Sequence, residues 1–154
     1  MRVLSCSYDG FIRCMDIEKE VFDMLYTNNM DIMLSAICCP HDGYQSIYFA
    51  EGYGEIKVLD LRVRGVSNSY DLHEKRIHTI DFHPCNPHLV STSSTDCTAS
   101  IWDLRNMGKN QIKSISTVRY DTTMISAYFS PSGNYLAASY DGNVELLNGL
   151  DSWN

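Results

Sequence analysis

At 154 residues the chain is long enough to bury a sizeable core, and its net charge of −7 argues against indiscriminate nucleic-acid binding by the surface as a whole. A local basic patch is still compatible with that balance. No apolar run approaches the ~20 residues needed to span a bilayer, and the opening MRVLSCSYDG has no apolar signal-peptide core, so the sequence reads as cytosolic or nuclear with no membrane partner.

Aromatic and β-branched residues are plentiful, and no long segment carries a 3.6-residue apolar period, which favours an all-β fold. In chain order, strands are predicted at Arg2 to Ser7, Phe11 to Asp16 and Glu20 to Tyr26. A second set starts from Asp31, with strands near Ile32 to Cys38, Ser46 to Ala50 and Glu55 to Asp60, and an outer strand at Val66 to Leu72 after the basic turn Arg62 to Arg64. In the third set, Ile77, Ile80 and Phe82 precede a break at His83-Pro84. A second strand then leads to a turn at Asp96, a third closes on Trp102-Asp103, and Gln111 to Val118 is the outer strand. The fourth set begins at Met124, turns at Pro131-Ser132-Gly133, and continues through Tyr135 to Ser139 and Val144 to Leu147. The tail Gly149 to Asn154 is too short to predict an outer strand.

One position recurs through these sets. Asp16, Asp60, Asp103 and Asn148 each end a third strand, at intervals of 44, 43 and 45 residues. A period near 43 with strand-turn-strand content is the mark of a β-propeller. Seven residues before each anchor lies a hairpin turn: Asp9-Gly10, Tyr53-Gly54, Asp96-Cys97 and Asp141-Gly142. Asp-Gly tolerates the positive φ that a two-residue hairpin requires; the Tyr53 and Cys97 variants are weaker turn formers. The reading is therefore all-β, a propeller fragment of two complete blades plus two partial ones, at about 1–29 (partial), 30–72, 73–119 and 120–154 (partial). Arg13 and Lys57 alternate with apolar neighbours on third strands and are expected to face solvent between blades.

The stretch Leu72 to Arg105, LHEKRIHTIDFHPCNPHLVSTSSTDCTASIWDLR, places His73 four residues before Ile77 and Asp96 six before Trp102. It resembles a WD40 repeat, in which each repeat supplies one four-stranded blade. That resemblance implies a hydrogen-bonded chain of His73, Thr92 (or Ser94), Asp96 and Trp102. The same hydroxyl, imidazole and carboxylate would suggest a hydrolase triad, but the WD40 positions explain every member structurally. No catalytic residue and no cofactor is assigned. The six cysteines, Cys6, Cys14, Cys38, Cys39, Cys85 and Cys97, make no C-x-x-C pair and read as buried free thiols in a reducing compartment. The run His78, His83, Cys85, His88 lacks a recognised zinc spacing.

Two further segments, SYDGFIRCMDIEKEVFDMLY at Ser7 to Tyr26 and ISAYFSPSGNYLAASYDG at Ile125 to Gly142, resemble blades of the WD repeat-containing protein 76 family, above all its plant members. The Leu72 to Arg105 stretch resembles that family and the small subunit of the UV-damaged-DNA-binding complex. The resemblance implies a nuclear DNA-damage-binding protein that works through DNA and protein partners, and it points to the cullin-4 ubiquitin ligase. Substrate receptors of that ligase carry Trp-Asp-x-Arg at the end of a third strand. Trp102-Asp103-Leu104-Arg105 matches it, and Leu59-Asp60-Leu61-Arg62 matches its shorter Asp-x-Arg form. Asp60, Arg62, Asp103 and Arg105 are thus the adaptor-binding candidates, with local Asp–Arg pairing as the plainer alternative. For DNA the candidates are Lys75 and Arg76, beside His78, on the rim opposite those arginines, where cations would contact phosphates. A protein-interaction scaffold without DNA contact is the competing reading, favoured by the acidic balance.

Overall fold

The computed structural model describes residues 1–28, 32–41, 43, 45–108 and 112–149. Asp31, Gln111 and the tail beyond Gly149, to which the sequence assigned a blade start, the start of an outer strand and a chain end, lie outside the described residues. Among the described residues the strands form four antiparallel sheets, each a meander in chain order. The first holds β1 (Arg2–Cys6), β2 (Phe11–Asp16) and β3 (Val21–Thr27). The second holds β4 (Leu34–Cys38), β5 (Ser46–Glu51), β6 (Glu55–Asp60) and β7 (Gly65–Asp71). The third holds β8 (Ile77–Phe82), β9 (Leu89–Ser94), β10 (Thr98–Asp103) and β11 (Ser116–Arg119). The fourth holds β12 (Met124–Phe129), β13 (Tyr135–Tyr140) and β14 (Asn143–Asn148). Two four-stranded and two three-stranded sheets are the blades that the repeat predicts.

The outer strand of the third blade is shorter than the expected Gln111 to Val118. After Asp103 the chain makes a 3₁₀ turn at Leu104–Asn106, and Leu104, Met107 and Ile112 pack onto the core between the second and third blades instead of extending the ladder. All four hairpin turns use positive φ at their second residue: +82° at Gly10, +94° at Gly54, +70° at Cys97 and +76° at Gly142. Gly54 is fixed by space as well as angle, because a Cβ there would lie 2.0 Å from the His73 carbonyl oxygen. Cys97 adopts the same region without glycine, held by the Asp96 carboxylate, which accepts from the Thr98 amide at 3.0 Å.

Three apolar clusters join the blades in sequence. Ile12 of β2 packs with Leu34, Ile47, Phe49 and Leu59 of the second blade. Ile56 of β6 packs with Ile77, Ile80, Phe82, Val90 and Trp102 of the third. Ala99 and Ile101 of β10 pack with Met124, Ala127, Leu136 and Ala138 of the fourth. The same third-strand positions in the fourth blade are Val144 and Leu146, which are 71% and 68% exposed.

The seam between the third and fourth blades is also hydrogen-bonded by side chains. Thr79 Oγ1 accepts from the Ala127 amide at 3.0 Å, Ser91 Oγ donates to the Ala127 carbonyl at 3.1 Å, and Asp81 Oδ2 accepts from the Phe129 amide at 2.8 Å. The run Ser91 to Ser94 is fully buried. It reads as polar in the sequence but serves as a set of buried, bonded hydroxyls.

Candidate nucleic-acid and protein interface

The structure brings His73, Thr92, Asp96 and Trp102 together in the third blade. His73 Nδ1 lies 2.9 Å from Asp96 Oδ2 and its Nε2 lies 2.7 Å from Thr92 Oγ1, which also accepts from the Trp102 indole at 2.8 Å. Ser94, the alternative to Thr92, is occupied elsewhere: its hydroxyl donates to the Lys75 carbonyl and accepts from the Asp96 amide. Burial pushes the His73 pKa down, and the facing Asp96 only partly offsets it. For Asp96, burial acts upward, but bonds from Thr98 and His73 outweigh it and hold the carboxyl below its usual range. Thr92 is fully buried and the His73 side chain nearly so. This arrangement ties the incoming loop to β9 and β10.

The two Asp-x-Arg segments occupy one rim. Asp60 pairs with Ser46 and Gly65 at one end of the second blade, and Asp103 pairs with Leu89 at the corresponding end of the third. Each aspartate caps its own turn and grips its own arginine. Asp60 accepts from the Arg62 amide at 2.8 Å and from its Nη2 at 2.8 Å; Asp103 accepts from the Arg105 amide at 2.9 Å, Nε at 3.0 Å and Nη2 at 2.8 Å. Bonding to Arg62 holds the Asp60 carboxyl down at about 2, and Arg105 acts likewise on Asp103. Local pairing takes the Nε–Nη2 edge of each guanidinium and pre-orients the remainder, while the side chains stay 70% (Arg62) and 61% (Arg105) exposed. Beside Arg105, a cleft of about 430 Å³ opens between the second and third blades, walled by Pro40, Tyr48, Phe82, Pro87 and His88.

Lys75 and Arg76 enter β8 at the opposite end of the sheet, where Ile77 pairs with Ser94. The loop is clamped from both sides. Gly54 O accepts from the Leu72 and His73 amides, and the Arg76 carbonyl accepts from both the amide and the hydroxyl of Thr95. The guanidinium of Arg76 sits 5.9 Å above the ring of Tyr8. His78, half-buried alongside, has its pKa lowered by burial and by the Arg76 charge.

The run of His83, Cys85 and His88 has a structural use. His83 Nδ1 accepts from the amides of Cys85 and Asn86, and its Nε2 faces the Gly133 carbonyl at 3.1 Å, so the ring caps the turn after β8 and touches the fourth blade. Burial, the largest cause, pushes the Cys38 thiol up to about 11, so it is not a reactive thiolate at neutral pH.

Sequence reasoning missed Glu51, a fully buried carboxylate at the end of β5. It accepts from the Tyr26 hydroxyl at 3.0 Å and from the Asn28 amide group at 3.0 Å, both of the first blade, and from Lys57 of its own blade. Lys57 therefore does not face solvent as expected. Its ammonium bridges Glu51 and, at 3.5 Å, Glu55, and although burial acts to lower its pKa, the contacts with Glu51 raise it overall. Burial, then the bond to Glu51, pushes the Tyr26 phenol up to about 12. Arg13, the other alternating cation, is half-exposed and pairs with Asp9 at 2.7 Å. The one available signal was a glutamate closing the apolar run Ile47 to Ala50.

Comparison with known proteins agrees with this architecture. Residues 65–103 and 112–147 match the family model described as WD domain, G-beta repeat. A chain of the structure "Crystal Structure of Mitotic Checkpoint Complex" superposes with a TM-score of 0.80 over 98% of this chain and 44% of that one, at 16% identity, which speaks to the fold alone. The chain thus carries WD40 repeats and has the fold of a WD40 propeller. Its sequence is 31% identical over 98% of its length to the DNA damage-binding protein CMR1 of Chaetomium globosum, and 32% identical over 92% to that of Phaeosphaeria nodorum. It is thus a homologue of the DNA damage-binding protein CMR1, spanning 31% and 29% of the lengths of those two relatives.

Proposed function

We propose that this chain forms part of a nuclear, non-catalytic WD40 propeller that binds DNA, damaged DNA included. Homology across nearly the whole chain to proteins named for DNA-damage binding carries the reading. The exposed loop at Lys75 and Arg76, held on a fixed backbone, supplies cations for phosphates despite the net charge of −7. The His73–Thr92–Asp96–Trp102 chain, with its polar atoms bonded to one another, supports a binding rather than an enzymatic role. The test is a salt titration of DNA binding by the full-length protein. Affinity is expected to fall steeply with salt, and Lys75→Ala with Arg76→Ala to flatten the log–log slope by about 0.9 per lost duplex phosphate contact. No binding at low salt would leave the scaffold reading.

A second reading concerns the other rim. Arg62 and Arg105, exposed and pre-oriented by Asp60 and Asp103 beside a cleft, suit docking on the cullin-4 adaptor. Arg62→Ala with Arg105→Ala should weaken adaptor capture by roughly fivefold or more while leaving DNA binding on the opposite rim intact. Unchanged capture removes the ligase role.

A further inference from the structure

The Lys75–Arg76 rim also holds two bare aromatic rings. Tyr8 stands in the hairpin between β1 and β2 and is 58% exposed; Tyr53 stands at the tip of the hairpin between β5 and β6 and is 86% exposed. Both hairpins are rigid. Asp9, next to Tyr8, is tied to Arg13 and to the Phe11 amide. Gly54, next to Tyr53, is pressed against the His73 carbonyl and binds the Leu72 and His73 amides, which brings the Tyr53 tip against the loop that carries Lys75. At the other end of that loop, Arg76 covers one face of Tyr8. Two tyrosines thus flank two cations on a backbone that needs no ordering when a ligand arrives. The neighbouring acids Asp9, Asp96 and Glu55 are engaged by Arg13, His73 and Lys57, which leaves Glu74 of the loop and Asp71 at the end of β7 as the acidic side chains beside it.

Resting on the DNA reading above, we infer that Tyr8, Tyr53, Lys75 and Arg76 form a site for unpaired nucleobases. The open faces of the rings stack on bases while Lys75 and Arg76 hold the intervening phosphates. Stacking on aromatic rings tolerates any base, because each presents a π-face, and cations beside the rings follow the strand. An intact duplex hides those faces in its own stack. A single strand, a bulge or a base extruded at a lesion presents them at lower cost. The site therefore selects disrupted DNA by the exposure of its bases and not by sequence.

The experiment is fluorescence anisotropy with the full-length protein and three labelled probes: a matched duplex, the same duplex with an unpaired thymine bulge, and the single strand. Tyr8→Ala and Tyr53→Ala should each weaken bulge and single-strand binding by roughly fivefold to a hundredfold and leave the matched duplex unchanged, whereas Tyr8→Phe and Tyr53→Phe restore binding. Lys75→Ala with Arg76→Ala should weaken all three probes. If the alanine variants change no probe, or change all three equally, the stacking site is wrong while the DNA reading stands. If the unaltered protein binds none of the probes at low salt, the DNA reading itself fails, and the tyrosines belong to a protein-docking surface.

Discussion

Glu51 offers the sharpest test of how the first and second blades are joined. Glu51→Ala removes a fully buried carboxylate that accepts from Tyr26, Asn28 and Lys57. Breaking a buried ion pair costs about 3–5 kcal/mol when the orphaned charge is cut off from water. Lys57 keeps a side-chain exposure of 22% and a second carboxylate, Glu55, at 3.5 Å, so part of that penalty is relieved. The loss of two hydrogen bonds to that carboxylate restores some of it, at about 1.5 kcal/mol each. The expected destabilisation is about 3–5 kcal/mol, measured by urea denaturation of the full-length protein. Glu51→Gln, which retains an acceptor for Tyr26, should lose about half as much. Adding Lys57→Met to Glu51→Ala should recover stability, because no buried ammonium is left behind. Tyr26 reports independently: its phenol, titrated by ultraviolet absorbance, should ionise below its present value of about 12 once the carboxylate is gone. A Glu51→Ala loss under ~1 kcal/mol that adds independently to that of Lys57→Met would refute the network.

Three further outcomes follow from the third and fourth blades. His73→Ala and Asp96→Ala should each cost about 1–3 kcal/mol and be strongly non-additive, as measured in a double-mutant cycle. Because burial lowers the folded-state pKa of His73, the unfolded chain binds that proton first. Stability from this residue is full above about pH 6.5 and falls as the pH drops below it, with Asp96 adding a loss only under about pH 3.9; pH-dependent melts that stay flat from pH 7 to 5 would contradict this. Val144→Lys with Leu146→Lys should reduce self-association of the 154-residue chain in light scattering, since these residues lie where the other blades pack on a neighbour.

The repeat made the third strands legible: the anchors Asp16 and Asp60 end β2 and β6 where the period puts them, at Phe11–Asp16 and Glu55–Asp60. Hairpin pairs at fixed distance from the anchors located the positive-φ residues, even at Cys97 where the glycine is missing. Lys57 was misplaced for a physical reason. Period-two alternation correctly put it on the face opposite Ile56 and Val58, but a propeller blade is covered on both faces, so opposite to the core does not mean toward water. Its partner Glu51 is 6 residues away, but the groups that fix Glu51, Tyr26 and Asn28, lie 25 and 23 residues from it in sequence, and nothing local announces them. The same holds for Tyr8 and Arg76, whose contact joins separate blades.

The side chains that cross the last seam have a consequence for strand addition. Among the described residues β12 pairs only with β13, so its other edge would ordinarily present free amides and carbonyls to an incoming strand. Thr79, Ser91 and Asp81 occupy that edge at Ala127 and Phe129. A guest peptide would have to displace three hydrogen bonds and wedge apart the packed blades to add there.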